Sequence, residues 1–81
     1  MRVRVRLFAR LREIAGAAEI ERTVQGARTL RDVWEALERE FPAMTPYRSS
    51  VSGAVNADYA RMSAPVQDGD EVAFLPPVSG G

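Results

Sequence analysis

From Arg2 the chain alternates polar and apolar residues, with Val3, Val5 and Leu7 on one side and Arg2, Arg4 and Arg6 on the other. A period of two is that of a half-buried β-strand, whose successive side chains point to opposite faces. Phe8 shares the parity of the arginines and so puts an aromatic ring on the outer face. Ala9 to Ala15 predicts a short helical segment closed by Gly16, a residue suited to the left-handed C-terminal position. A second strand is predicted from Glu19 to Val24, with Ile20, Arg22 and Val24 on the inner side. An arginine in that row suits an edge strand, where a long side chain reaches water.

After Thr29 the period lengthens, and Leu30, Val33, Trp34, Leu37 and Phe41 recur at helical spacing. Thr29 with Asp32 reads as a variant capping box, Arg31, Glu35 and Arg39 form spaced pairs on the exposed side, and Pro42 ends the helix. Trp34 at this spacing is read as core. Ala43 to Ser50, interrupted by Pro46, reads as a surface loop. Val51 to Asn56 predicts a short strand with Val51 and Val55 inward, followed by a turn at Asn56-Ala57-Asp58 and a brief segment from Tyr59 to Met62. Val66 is expected in the core, ahead of a turn at Asp68-Gly69-Asp70.

Glu71 to Leu75 is the last predicted strand. Val72 and Phe74 must face the core, because the opposite parity would bury Glu71. Leu75 is then exposed, and lies beside Phe8 if the first and last strands are neighbours. Two adjacent apolar side chains outside the core predict a docking patch.

Beyond Leu75 the pattern stops. Pro76 and Pro77 lack backbone donors and fix φ, so no sheet ladder continues, and the pair favours the stiff polyproline II form. The stretch from Pro76 through Val78 and Ser79 to Gly80 and Gly81 reaches at most about 20 Å, enough to enter a partner's pocket. Gly80 and Gly81 have no Cβ and fit a channel too narrow for a side chain. The reactive atom of such a tail would be the Gly81 carboxylate, a poor electrophile until it is converted to a mixed anhydride such as an acyl-adenylate.

Composition narrows the chemistry. With 81 residues and no linker-like stretch, one domain with a small core is expected. There is no Cys and no His, which removes disulfides, thiolate nucleophiles, imidazole bases and nearly every zinc site. All 11 basic residues are arginine, so the chain has no lysine to form a Schiff base or to receive an isopeptide bond. A formal net charge of +0 argues against a nucleic-acid binder, and no apolar run is long enough to span a membrane. The basic start, Met1 to Arg6, is not followed by the apolar stretch of a signal peptide, and a cytoplasmic location is expected. Arg2, Arg4, Arg6, Arg10 and Arg12 precede the first acid, whereas Asp68, Asp70 and Glu71 sit just before the tail. The two groups complement each other if the chain ends run side by side. The arginine row reads either as a solvated strand face or as a surface that steers an acidic partner.

Three segments, Val5-Arg6-Leu7-Phe8-Ala9-Arg10-Leu11-Arg12-Glu13-Ile14-Ala15-Gly16, Ala54-Val55-Asn56 and Asp68 through Gly81, resemble the MoaD branch of the MoaD/ThiS ubiquitin-like sulfur carriers. The similarity covers nearly the whole chain and is least distinctive from Pro42 to Ser50. It implies an α+β, ubiquitin-like β-grasp fold, a mixed sheet of about five strands with one main helix packed on one face. It also implies that an E1-like, MoeB-type enzyme uses ATP to adenylate Gly81 and that a sulfur-donating enzyme supplies sulfur for a Gly81 thiocarboxylate. The tail, with Phe8, Leu75, Pro76, Pro77, Val78 and Ser79 as contact residues, would then enter a MoaE-like large subunit. There the sulfur passes to cyclic pyranopterin monophosphate, two carriers serving each pterin to form the dithiolene of molybdopterin. The chain itself would bind no cofactor and no metal, and would not be a catalyst alone. Two other readings share the residues: a carrier for thiamine synthesis or tRNA thiolation, and a β-grasp interaction module with an inert tail.

Overall fold

The computed structural model describes residues 1–77 of the chain. Its strands are β1 (Arg2–Leu7), β2 (Glu19–Thr23), β3 (Ser52–Val55), β4 (Asp58–Ala60) and β5 (Glu71–Leu75), and its helices are α1 (Ala9–Ala15) and α2 (Leu30–Glu40). A 3-10 segment, Pro42–Tyr47, follows α2. The sheet order is β2-β1-β5-β3-β4, with β1 and β5 parallel at the centre and the other neighbours antiparallel. One face of the sheet is covered by α2. This is the mixed sheet and one main packed helix of the ubiquitin-like β-grasp fold.

Burial follows the sequence parity. Val3, Val5, Leu7, Val72 and Phe74 point inward from the two central strands and are almost completely buried against Leu30, Val33, Trp34 and Leu37 of α2. Trp34 and Phe74 pack with ring centroids 5.1 Å apart. Gly53 of β3 pairs with Phe74 and faces the same side; a Cβ there would run into the Leu30 side chain, which would have to shift within the core. The capping box closes as expected: Thr29 Oγ1 accepts from the Asp32 amide, and Asp32 Oδ2 accepts from the Thr29 amide. The Arg28 amide, and after it the Thr29 amide, both donating to Asp32 Oδ2, hold the Asp32 carboxyl below its ordinary range.

β2 is an edge strand, and Arg22 on its inner side reaches past the core to make two bonds, 2.7 and 2.6 Å, to the Glu40 carboxylate at the end of α2. Gly16 takes the left-handed conformation at φ 77, and its amide donates to the Arg12 carbonyl. The β3–β4 hairpin turns through Asn56 and Ala57 at φ 49 and 73, the paired positive angles of a two-residue hairpin turn. Asn56 also bridges the turn to Asp70 and the Glu71 amide, at 3.0 Å in each case. The start of β1 runs beside the turn that leads into β5: Asp68 accepts the Arg2 amide, and the Gly69 amide donates to the Arg2 carbonyl.

Three expectations need correction. The stretch Ala43 to Ser50 is not a plain surface loop, because Pro42–Tyr47 is helical and Met44 is completely buried. Phe41 caps α2 instead of continuing it. Arg31, Glu35 and Arg39 form no ion pair within 4.0 Å among the described residues; the α2 carboxylates in ion pairs are Glu38 and Glu40. Glu38 is only 7% exposed, accepts from Trp34 Nε1 at 2.7 Å and is gripped by Arg48 through Nε at 3.0 and 3.2 Å. These bonds pin the 3-10 segment to α2.

The Arg48 hydrogen bonds, reinforced by that of Trp34, hold the Glu38 carboxyl below the ordinary glutamate range, against the opposing effect of burial. Because the folded value is depressed, the contribution to stability is complete above the unfolded pKa and is lost as pH falls through the folded one. Glu38→Ala, which leaves the indole N–H without its acceptor, is expected to cost about 1 to 3 kcal/mol near neutrality. The gap to wild type should narrow on acidification below the ordinary glutamate value of 4.5, read from urea denaturation at a series of pH values. A gap that stayed constant down to the acid transition would show that the ionised pair contributes nothing.

Candidate functional site: the docking face and the tail root

The face of the sheet opposite α2 holds the residues singled out above. Parallel pairing of β1 with β5 aligns Leu7 with Phe74, so the next residues, Phe8 and Leu75, emerge together at the same end of the sheet. Phe8 is 38% exposed, and Leu75 is half-buried instead of fully exposed. Ala9 follows Phe8 at φ 51, a left-handed angle uncommon for alanine, and this turns the chain sharply into α1. Pro76 and Pro77 continue from Leu75, and with Phe8, Arg10 and Tyr47 they line a groove of about 460 Å³. The other predicted tail residues, Val78, Ser79, Gly80 and Gly81, lie outside the described residues.

A second feature extends the patch across the sheet. Arg6, Ala73, Ala54 and Tyr59 stand in one cross-strand row, because Arg6 pairs with Ala73, Ala73 with Ala54 and Ala54 with Tyr59. The alanines at the centre make a shallow trough of about 190 Å³ between Phe8 and Leu75 on one side and Tyr59 on the other. Tyr59 is 79% exposed, the most exposed large hydrophobic residue of the described chain. The sequence reading missed Tyr59, Ala54 and Ala73. A larger open cleft, about 490 Å³, lies beyond Tyr59 beside Arg31 and Arg61, and none of its lining residues belongs to the tail root.

The arginine row on this face is already paired. Arg2 meets Glu21 at 2.7 Å, while Arg4 and Arg6 flank Glu71 at 3.5 and 3.7 Å. The Arg6 guanidinium also lies over the Phe8 ring, 5.6 Å from its centroid. All of these pairs are solvent-exposed and add little to stability. Glu21 and Glu71 stand against three guanidiniums, so the row keeps a positive charge beside the apolar patch. No helix among the described residues is long and apolar enough to cross a membrane.

Fold and surface together define a ubiquitin-like β-grasp domain with an apolar patch at the end of its central parallel strand pair. The chain belongs to the ThiS family, whose model matches residues 5–81. Among curated relatives it is similar to the molybdopterin synthase sulfur carrier subunit of Arabidopsis thaliana, with 38% identity over 79 residues that cover 98% of this chain and 82% of the relative. It is 35% identical to the subunit of the same name from Escherichia coli, over 98% of this chain and 99% of the relative. Among solved structures, small archaeal modifier protein 1 from Haloferax volcanii superimposes with a TM-score of 0.84 at 30% identity, over 100% of both chains. A protein–protein complex of subunits 1 and 2 of the molybdopterin-converting factor from Helicobacter pylori contains a chain that matches with a TM-score of 0.67 at 27% identity, again over 100% of both.

Proposed function

We propose that this chain is the sulfur carrier of a molybdopterin synthase and that Gly81 carries the sulfur. The observation that supports it most is the juxtaposition of Phe8, Leu75 and Pro76-Pro77: a rigid exit for the tail beside an apolar face that a partner can cover. Full-length similarity to sulfur carrier subunits favours the same reading.

In this scheme the Gly81 carboxylate attacks the α-phosphorus of ATP within an E1-like, MoeB-type enzyme, and pyrophosphate leaves. A sulfide equivalent from a sulfur-donating enzyme then attacks the acyl-adenylate carbon and expels AMP, leaving a thiocarboxylate. The large subunit, MoaE-like, covers the face formed by Phe8, Tyr59 and Leu75 and draws Val78, Ser79 and Gly80 into its channel. The sulfur passes to cyclic pyranopterin monophosphate, and water supplies the oxygen that restores the carboxylate. This chain contributes the acyl group, its presentation and the docking surface. With no Cys, His or Lys of its own, it leaves proton transfer and pterin binding to the partner, and ATP is consumed by the activating enzyme. A cytoplasmic site of action follows from those partners.

Structural similarity to small archaeal modifier protein 1 favours a second reading, in which the activated Gly81 is joined to other proteins. Capture of partners on immobilised full-length chain separates the two. Recovery of a molybdopterin synthase large subunit with an adenylating enzyme is expected. Recovery of a thiazole synthase, a tRNA thiolase or covalent protein conjugates, without the large subunit, would overturn the assignment.

A further inference from the structure

The groove at the tail root has a wall that neither the apolar patch nor the tail supplies. That wall is Tyr47, the last residue of the 3-10 segment Pro42–Tyr47, which lines the groove together with Pro76 and Pro77. Its backbone is fixed, since the Tyr47 carbonyl accepts from the Val51 amide at 2.8 Å and the Ser50 amide at 3.1 Å. The next residue, Arg48, grips Glu38; Glu38 accepts from Trp34; and Trp34 packs on Phe74, the residue just before Leu75 in the strand that leads into the tail. The contacts run from β5 at Phe74 across α2 to Arg48, and Tyr47 beside it stands across the groove from Pro76 and Pro77.

This chain of contacts holds an aromatic side chain beside the path by which the prolines leave the sheet. Leu75 and the β5 ladder fix the start of the tail, and the prolines stiffen it, but neither chooses its angle about the strand axis. A bulky ring across the groove from the prolines limits it. We propose that Tyr47 is a positioning residue for the tail, held in place by the Glu38–Arg48 pair, and that it sets the direction in which Gly81 is presented to a partner. The inference rests on the carrier reading and names the part of the fold that aims the carrier.

Docking and aiming are then separable. Loss of aim misplaces the reacting carboxylate without weakening the contact of Phe8, Tyr59 and Leu75 with a partner, and small misplacements cost rate far more than affinity. For Tyr47→Ala, adenylation of Gly81 at saturating adenylating enzyme is expected to slow about tenfold, with the half-saturating concentration changed less than about twofold. Tyr47→Phe keeps the ring and should restore the rate. Arg48→Met leaves Tyr47 in the chain but releases its anchor, and should slow the reaction in the same way.

The experiment is single-turnover adenylation of full-length chain, wild type and these three variants, with the melting temperature of each measured alongside. In parallel, nuclear Overhauser contacts between the Tyr47 ring and the rings of Pro76 and Pro77 are recorded in wild type and in Arg48→Met. Contacts present in wild type and lost in Arg48→Met, with the rate effect confined to turnover, support the proposal. Unchanged turnover in folded Tyr47→Ala, or proline contacts retained in full in Arg48→Met, overturns it. If wild type itself is not adenylated, the carrier reading fails, and the Overhauser contacts still decide whether Tyr47 holds the prolines.

Discussion

Deleting Gly80 and Gly81 is expected to abolish sulfur transfer while leaving the melting temperature within about 3 °C of wild type. The two parts of that expectation have separate physical origins. All described core residues, from Val3 to Phe74, lie upstream of Pro76, and the two deleted glycines have no side chain to contribute to a core. The chemistry has the opposite distribution. With Cys, His and Lys absent from the chain, the side chains upstream supply no nucleophile of the kinds that form thioesters, imidazolides or imines, and in the proposed scheme the Gly81 carboxyl group is this chain's sole site of bond-making. A truncated chain that still supported molybdopterin formation would reduce the molecule to an interaction module with an inert tail.

Phe8→Arg is the second large effect. Phe8 caps α1 without entering the core, and its ring is offered to solvent at 38% exposure, so replacing it leaves the packing around Trp34 and Phe74 intact. The substitution removes an aromatic anchor and sets a second guanidinium beside Arg6, which now lies over the ring. Truncation of a central aromatic anchor typically costs 2 kcal/mol or more, and the added charge must be desolvated as well. Affinity for the large subunit is therefore expected to fall roughly 30-fold or more, measured by titration calorimetry, with little change in melting temperature. Unchanged affinity with a lowered melting temperature would make Phe8 a structural residue.

Much of this surface was legible before any coordinates, because parity in a strand is a strict constraint. Glu71 could not be buried, which fixed Val72 and Phe74 inward and Leu75 outward, and parallel pairing then brought Leu75 to Phe8. The capping box at Thr29 and the left-handed Gly16 are likewise local chemistry that requires no knowledge of distant residues. What escaped depends on the sheet order or on irregular periodicity. Tyr59 sits on a three-residue strand, and its place beside the patch emerges only when β4 is known to pair with β3 and β3 with β5. Met44 is a lone apolar residue between prolines, with no repeating neighbour to mark the 3-10 segment that buries it. Glu38 did leave a signal: it stands four residues after Trp34 on the apolar stripe of α2, where a carboxylate must find donors, and it finds them in Trp34 and Arg48.

The central claim is that Gly81 becomes an activated acyl group that carries sulfur. Its most direct test is the intact mass of the full-length chain after incubation with the adenylating enzyme, ATP and a sulfide source. The account predicts a gain equal to the exchange of one oxygen for sulfur, located on Gly81 by fragmentation and absent when ATP is withheld. A mass that does not change, with an adenylating enzyme shown to be active on another carrier, would contradict it.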